Sequence, residues 1–369
     1  MNKRSAKRLA AVAAGTLALG TVSVMTLATG GSAHAASSAQ VGVILPDTTS
    51  SPRWEGQDRP NLQKAFTGAG VSYDIENADG SVTNFGTICD NMISEGVKVL
   101  LVVDLDPASG AACEKKAEAA GVATIDYDRL TLGGDATYYV SFNNVKVGQL
   151  MGHGLIAALK AKHIKKPRIA EIDGASTDNN ATLFAQGYNS VLNPLYKKHK
   201  AVKVGEGDGN WDATTAGTVY EQMYTKAKGK IDGIISANDT MAGGIIAREK
   251  AEGVKLPITG QDAGVEGLDN ILAGYQSGTV YKNTSLEAHA ASQLAIDLIK
   301  GKTAAAKKLV NGKTYDSTLK RQVPSVLETP VWVTAKTVKT VIAQGQEQYS
   351  QVCAGKYLKL CKKYGVKKP

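Results

Sequence analysis

Short apolar runs alternate with amphipathic stretches through most of the chain. The runs 41–46, 71–77, 97–104, 122–128 and 138–142 read as strands. Between them, 54–69, 84–95 and 109–120 carry apolar residues at helical spacing. The alternation restarts with strands at 168–173, 202–206, 231–238 and 256–262, separated by helices at 180–197, 212–228 and 239–252. Val97-Lys98-Val99-Leu100-Leu101-Val102-Val103 is almost wholly apolar, as a parallel strand covered on both faces must be. Strand–helix alternation of this kind predicts an α/β chain with doubly wound parallel sheets.

The two series match in spacing. Asp104 and Asp128 end consecutive strands 24 residues apart, and so do Asn238 and Asp262. This predicts two similar lobes with polar residues at the C-terminal ends of their strands, where open α/β sheets bind ligands. Two such edges facing each other make a cleft. Later segments add a strand at 279–283, a helix at 285–300, a polar hairpin or loop at 307–321 and a last strand at 329–334. A chain that returns to the first lobe near 283 and crosses again near 329 gives a three-segment hinge. Such a hinge permits bending and restricts twisting. The expected N-terminal lobe is then 40–143 plus 284–328 and the C-terminal lobe 144–283 plus 329–350, followed by a basic, Cys-containing tail at 351–369.

The first residues change the picture of where the protein works. Lys3, Arg4, Lys7 and Arg8 precede an uncharged apolar run over 9–27, and Ala33-His34-Ala35 supplies small residues for cleavage. This predicts an exported chain whose signal peptide is cleaved near Ala35; a retained membrane anchor is the alternative. No Cys follows the run, so no lipid anchor on an N-terminal Cys is expected. The 334 residues left suit two domains of about 100–200 each.

The formal charge of +9 raises nucleic acid as a partner. Its distribution argues against that. Four positive charges lie in the signal and six Lys in the tail, leaving a body of −1. The tail reads as a solvated helical segment, with contact to anionic lipid or wall polymer as the sharper alternative. An exported chain can hold disulfides, so Cys89, Cys113, Cys353 and Cys361 read as two of them. Near-with-near pairing is one of three connectivities, and buried free thiols are the alternative. The five His are scattered, and neither Cys pair has metal-ligand spacing, so no metal site is expected.

The candidate chemistry sits just after strand ends: Arg53, Trp54, Asp104, Asp128, Arg129, Asn179, Asn180, Trp211, Asn238, Asp262 and, on a late strand, Lys282. Carboxylates and guanidinium groups can each bridge neighbouring hydroxyls of a sugar, and amides add further bonds. Flat indoles suit its C–H faces. Each residue also has a plainer reading. The two Trp could be core. Asp128-Arg129 could be a strand-end ion pair. Asn238-Asp239 and Asp178-Asn179-Asn180 could cap helices, with Asp239 capping while Asn238 faces the ligand. Lys282 could be a surface lysine. Gly205-Glu206-Gly207-Asp208-Gly209 lacks phosphate-loop spacing. No nucleophile elbow, H-E-x-x-H or Cys–His pair is present, so no catalytic residue is expected. Asp128 and Asp262 with cationic neighbours would both stay ionised, leaving no general acid.

Seven short stretches, in order, carry a resemblance. They are Arg53-Trp54, Ile125-Asp126-Tyr127-Asp128-Arg129, Tyr139 through Gly148, Asp178-Asn179-Asn180-Ala181, Ser236-Ala237-Asn238-Asp239, Gly260-Gln261-Asp262-Ala263 and Thr279-Val280-Tyr281-Lys282. The chain resembles the type I periplasmic sugar-binding proteins of ATP-driven transporters, nearest the D-xylose-binding members, from about 41 to 334. The resemblance implies a monomeric, non-enzymatic binder of an aldose monosaccharide that needs no cofactor. Its partner would be an ABC permease with a separate ATPase; a membrane sensor is the alternative. Implied ligand contacts are Arg53, Trp54, Asp128, Arg129, Asn180, Trp211, Asn238, Asp262 and Lys282, with Asn179 a weaker member. Implied hinge segments are Asn143-Asn144, Asn283-Thr284 and Glu328-Thr329. A sugar-repressor relative would need a helix-turn-helix where the signal lies. Three departures stand out: Asn143 where the family often has Asp; Val103-Asp104-Leu105-Asp106, which makes Asp104 a place where ligand choice could differ; and the Lys-rich tail.

Overall fold

A computed structural model describes residues 39–369; the expected signal peptide and its cleavage site lie outside the described residues. The chain opens with β1 (Val41–Leu45), a π-helical turn (Trp54–Asp58) running into α1 (Arg59–Ala69), β2 (Tyr73–Asn77), α2 (Val82–Glu95), β3 (Val99–Val102), α3 (Pro107–Ala119), β4 (Ala123–Tyr127) and β5 (Tyr138–Phe142). The second series is α4 (Asn144–Ala161), β6 (Arg168–Asp173), α5 (Asn179–Lys197), β7 (Val202–Asp208), α6 (Ala213–Lys226), β8 (Gly233–Ser236), α7 (Asp239–Glu252), α8 (Val265–Leu272) and β9 (Thr279–Tyr281). Then come α9 (Thr284–Ile299), α10 (Thr303–Leu309), β10 (Gly312–Asp316), β11 (Arg321–Glu328), β12 (Val331–Val333), α11 (Val338–Ala343), α12 (Tyr349–Val352) and α13 (Tyr357–Lys363).

The strands form a seven-stranded sheet in the order β10-β11-β5-β4-β3-β1-β2 and a three-stranded sheet in the order β7-β6-β8, with β9 and β12 paired antiparallel. All pairings within β1–β5 and β6–β8 are parallel. Alternation along β3 shows why. Val99 and Leu101 pack with Leu62 and Phe66 of α1 and with Ala291 and Leu294 of α9. Leu100 and Val102 pack on the other face with Phe85, Ile88 and Met92 of α2. A strand covered on both faces needs the continuous apolar run read from the sequence. Cys89–Cys113 joins α2 to α3 within that second core.

The chain leaves the large sheet after β5, returns with α9, and leaves again after β11. Asn143 accepts from Lys146 N as the N-cap of α4, and Asn283 accepts from Ser285 N at the start of α9. Asn143 N donates to Glu328 O at 3.0 Å, tying two crossings together.

Three expectations are corrected. The segment 256–262 makes only single bridges, Ile258 to Ile234 and Gln261 to Val280; Pro257 lacks the N–H a ladder needs. The strand–helix pattern read from the sequence omits helix α4, although Val147, Met151, Leu155 and Leu159 recur every four residues and are buried. The tail is not a solvated helix: Val352, Cys353, Cys361 and Val366 are buried with α8 and α11, and Cys353–Cys361 closes the unit.

Candidate ligand-binding site

The strand-end loops of both series converge on one cavity with an empty volume of ≈ 310 Å³. Nine of the eleven anticipated residues line it: Arg53, Trp54, Asp128, Arg129, Asn180, Trp211, Asn238, Asp262 and Lys282. The loop after β4 supplies Asp128 and Arg129, and the start of α5 supplies Asn180. Asn238 follows β8, and Lys282 follows β9.

Its charges are buried and interlocked. Arg53 donates from Nε and Nη2 to both oxygens of Asp58, and from Nη1 to Asp128 at 2.6 Å; Nη2 also reaches Glu287. Lys282 Nζ lies 3.1 Å from Asp128 and 3.6 Å from Asp262. Burial alone would raise the Asp128 carboxyl, but Lys282, Arg53 and Arg129 outweigh it and hold the group below the usual carboxylate range. Behind Arg53, burial pushes Asp58 and Glu287 up despite that cation. The alternative reading of Asp128 and Arg129 as a mutual ion pair is not what forms. Arg129 pairs with Asp178 at 3.1 Å, while Asp128 turns toward Arg53 and Lys282.

The amides each do two things. Asn238 Oδ1 caps α7 at Met241 N, and its Nδ2 donates to Ser50 O at 2.9 Å. Asp239 is therefore not the cap. It lies buried one residue on and accepts from Gln276 Nε2 at 2.7 Å. Asp178 caps α5 at Asn180 N. Asn180 Nδ2 donates to the carbonyl and carboxylate of Asp128 at 2.9 and 3.1 Å, and its Oδ1 accepts from Asn144 and Tyr139.

Both candidate indoles reach the cavity, one from each half. Trp54 donates from Nε1 to Ser50 Oγ at 3.0 Å, and the Arg53 guanidinium lies 4.7 Å from its ring centre. Trp211 packs edge-on against Phe184 at 6.2 Å, and its buried Nε1 has no protein partner. Asp128, Trp211 and Asp262 hold positive φ angles of 61°, 57° and 100°. Non-glycine residues adopt this at a cost of about 1–3 kcal/mol each, and such residues cluster where a side chain must be aimed.

Two anticipated residues stand outside the lining. Asp104 is buried, and its carbonyl accepts from Arg129 Nη1 at 2.9 Å. Burial, then Asp178, pushes its carboxyl up to about 7. Asn179 opens α5 with its Nδ2 buried and without a hydrogen-bond partner. The lining also contains Ser50, Ser51, Asp178, Phe184 and Gln261. Phe184 was findable, since it lies one helical turn beyond Asn180. Gln261 adjoins Asp262. The serines offered no signal beyond preceding Arg53.

Residues 41–303 match the family model for a periplasmic binding protein domain. The multiple sugar-binding periplasmic receptor of Rhizobium radiobacter is 34% identical over 332 residues, 85% of this chain and 92% of that one. The D-xylose-binding periplasmic protein of Escherichia coli is 32% identical over 337 residues, 90% and 98% of the two chains. A carbohydrate transporter solute-binding protein from Chloroflexus aurantiacus, solved in complex with D-glucose, superposes with a TM-score of 0.77 at 28% identity. That match covers 85% of this chain and 98% of the other. The chain therefore belongs to the periplasmic binding protein family, as a sugar-binding, non-enzymatic receptor of the ABC-importer type.

Proposed function

We propose that this chain binds an aldose monosaccharide, D-xylose first among the candidates, and delivers it to an ABC permease energised by a separate ATPase. The proposed contacts are Arg53, Trp54, Asp128, Arg129, Asn180, Trp211, Asn238, Asp262 and Lys282. The observation that carries the reading is the wall of the cavity. It offers fixed charges and amides able to bridge hydroxyls, and one indole from each half for the sugar's apolar faces. Asp128 held ionised accepts from hydroxyls and supplies no proton, which suits binding without turnover. Asp104 acts through Arg129, whose guanidinium it helps to hold.

Delivery follows from closure of two lobes, 40–143 plus 284–328 against 144–283 plus 329–350, about hinges at 143–144, 283–284 and 328–329. Ser51 Oγ donates to Asp262 at 2.9 Å, Asn238 to Ser50 O, and Asn180 and Lys282 to Asp128, all from one half to the other. A sugar that adds bonds to both sides favours the closed state by its differential affinity.

The test is a thermal-melting panel of pentoses and hexoses. A ligand at about 100 times its Kd stabilises by roughly 2.7 kcal/mol. At about 2–4 °C per kcal/mol, this is a shift of some 5–11 °C. D-xylose should give the largest shift. A larger shift with D-glucose would move the assignment to a hexose, and no shift with any aldose would overturn the reading.

A further inference from the structure

We propose that the face formed by α11, α13 and the last five residues docks a linear phosphate-repeat polyanion. From 336 to 369 the chain carries eight lysines and one glutamate. All eight are exposed, and among the described residues none of them forms a salt bridge. Lys356 and Lys363 lie over the rings of Tyr357 and Tyr364, at 5.1 and 5.0 Å.

The fold fixes this array in place. Val352, Cys361 and Val366 are buried against α8 and α11, and Cys353–Cys361 joins α13 to the turn before it. Lysines on a free tail would lose chain and side-chain entropy on docking; here the backbone part is already spent. No tail residue lines the sugar cavity, so the unit is not explained by sugar binding.

A groove of ≈ 830 Å³ runs between α11 and the chain end, walled by Lys339, Thr340, Gln344, Gly365, Lys367 and Lys368. The charged side chains of its wall are all positive, against the single carboxylate of Pro369, and hydroxyl and amide groups lie between them. Repeating phosphates fit such a groove, because successive charges meet successive lysines and release counterions together. A lipid surface fits less well. A membrane-lying helix needs a broad apolar face, and Leu358, 38% exposed, is the large hydrophobic this unit shows to solvent. Docking here would retain the receptor in an anionic envelope while leaving the cavity side free to open and close.

The test measures binding of labelled long-chain inorganic polyphosphate to the mature full-length protein by fluorescence anisotropy. With three lysines engaged and a slope of about 0.7 per charge, affinity should fall about 18-fold between 50 and 200 mM salt. The triple variant Lys339→Gln, Lys367→Gln, Lys368→Gln should bind at least tenfold more weakly. The variant Lys197→Gln, Lys198→Gln, Lys200→Gln, with equal charge loss at the end of α5, should bind as wild type. Both should keep the sugar-induced melting shift, which separates this result from a failure of the sugar assignment. Absence of polyphosphate binding at 50 mM salt, equal losses in the two variants, or capture by phosphatidylglycerol vesicles without polyphosphate binding would each overturn the proposal.

Discussion

Replacing Gly174 with alanine isolates what Trp211 contributes. Gly174 follows β6, and a Cβ built there would lie under 3.0 Å from Cζ2, Cη2 and Cε2 of the Trp211 ring. Carbon atoms pack at about 3.5–4.0 Å, so the indole must retreat by about 1.5–2 Å. It cannot retreat freely, since Phe184 stands against it and its backbone holds φ 57°. Overpacking of this kind costs about 1–3 kcal/mol of stability, or roughly 2–12 °C in melting temperature. Sugar affinity should fall as well. A displaced ring loses a contact worth about 0.5–1.5 kcal/mol beyond its area and narrows the cavity. A loss of tenfold, about 1.4 kcal/mol, is the central expectation.

The assay is calorimetric titration of wild type, Gly174→Ala, Trp211→Ala and the double variant. Once the indole is gone, the three atoms nearest the added methyl are gone with it, so Gly174→Ala should be nearly silent in the Trp211→Ala background. The coupling should equal most of the single-variant loss. Equal losses in both backgrounds, or unchanged affinity in Gly174→Ala despite a lower melting temperature, would refute the assignment of the Trp211 face to the ligand.

Asp128→Asn should weaken sugar binding by about 2–5 kcal/mol, at least about 25-fold, because Arg53 and Lys282 lose their shared carboxylate; affinity within threefold of wild type would exclude it as a contact. Burial raises Asp239 to about 8. Its proton therefore stabilises the fold fully below the unfolded value near 3.8, and that contribution is lost as pH rises toward 8, by up to about 1.4 kcal/mol per unit. Urea unfolding of Asp239→Asn between pH 5 and 8 should show a flatter loss than wild type, and identical slopes would place the titration elsewhere. Cys89–Cys113 spans 24 residues. Replacing both with serine should cost about 2–4 kcal/mol in denaturant unfolding, with sugar affinity unchanged, since neither Cys lines the cavity.

What the sequence made legible follows from what sets each feature. Buried parallel strands must be apolar on both faces, so β1, β3 and β4 are visible as runs, and the residues just beyond them are visible by position. That logic located Asp128 and Asn238. It also nominated Asp104 by the same 24-residue spacing, yet Asp104 turns its carbonyl to Arg129 and stays out of the lining. Spacing fixes where a residue leaves a strand, and the following backbone fixes where its side chain points. Asp128 and Asp262, at φ 61° and 100°, are aimed by loop geometry that no pattern of apolar residues encodes. Partner choice is likewise a three-dimensional outcome: Asp128 sits beside Arg129 in sequence but answers Arg53, 75 residues away. The tail marks the other limit. Its lysines suggested solvent, and only four small buried side chains among them, Val352, Cys353, Cys361 and Val366, turn it into a folded face. A charged segment is therefore solvated or structured according to its minority residues, so the apolar positions between the lysines say more about its role than the charge they interrupt.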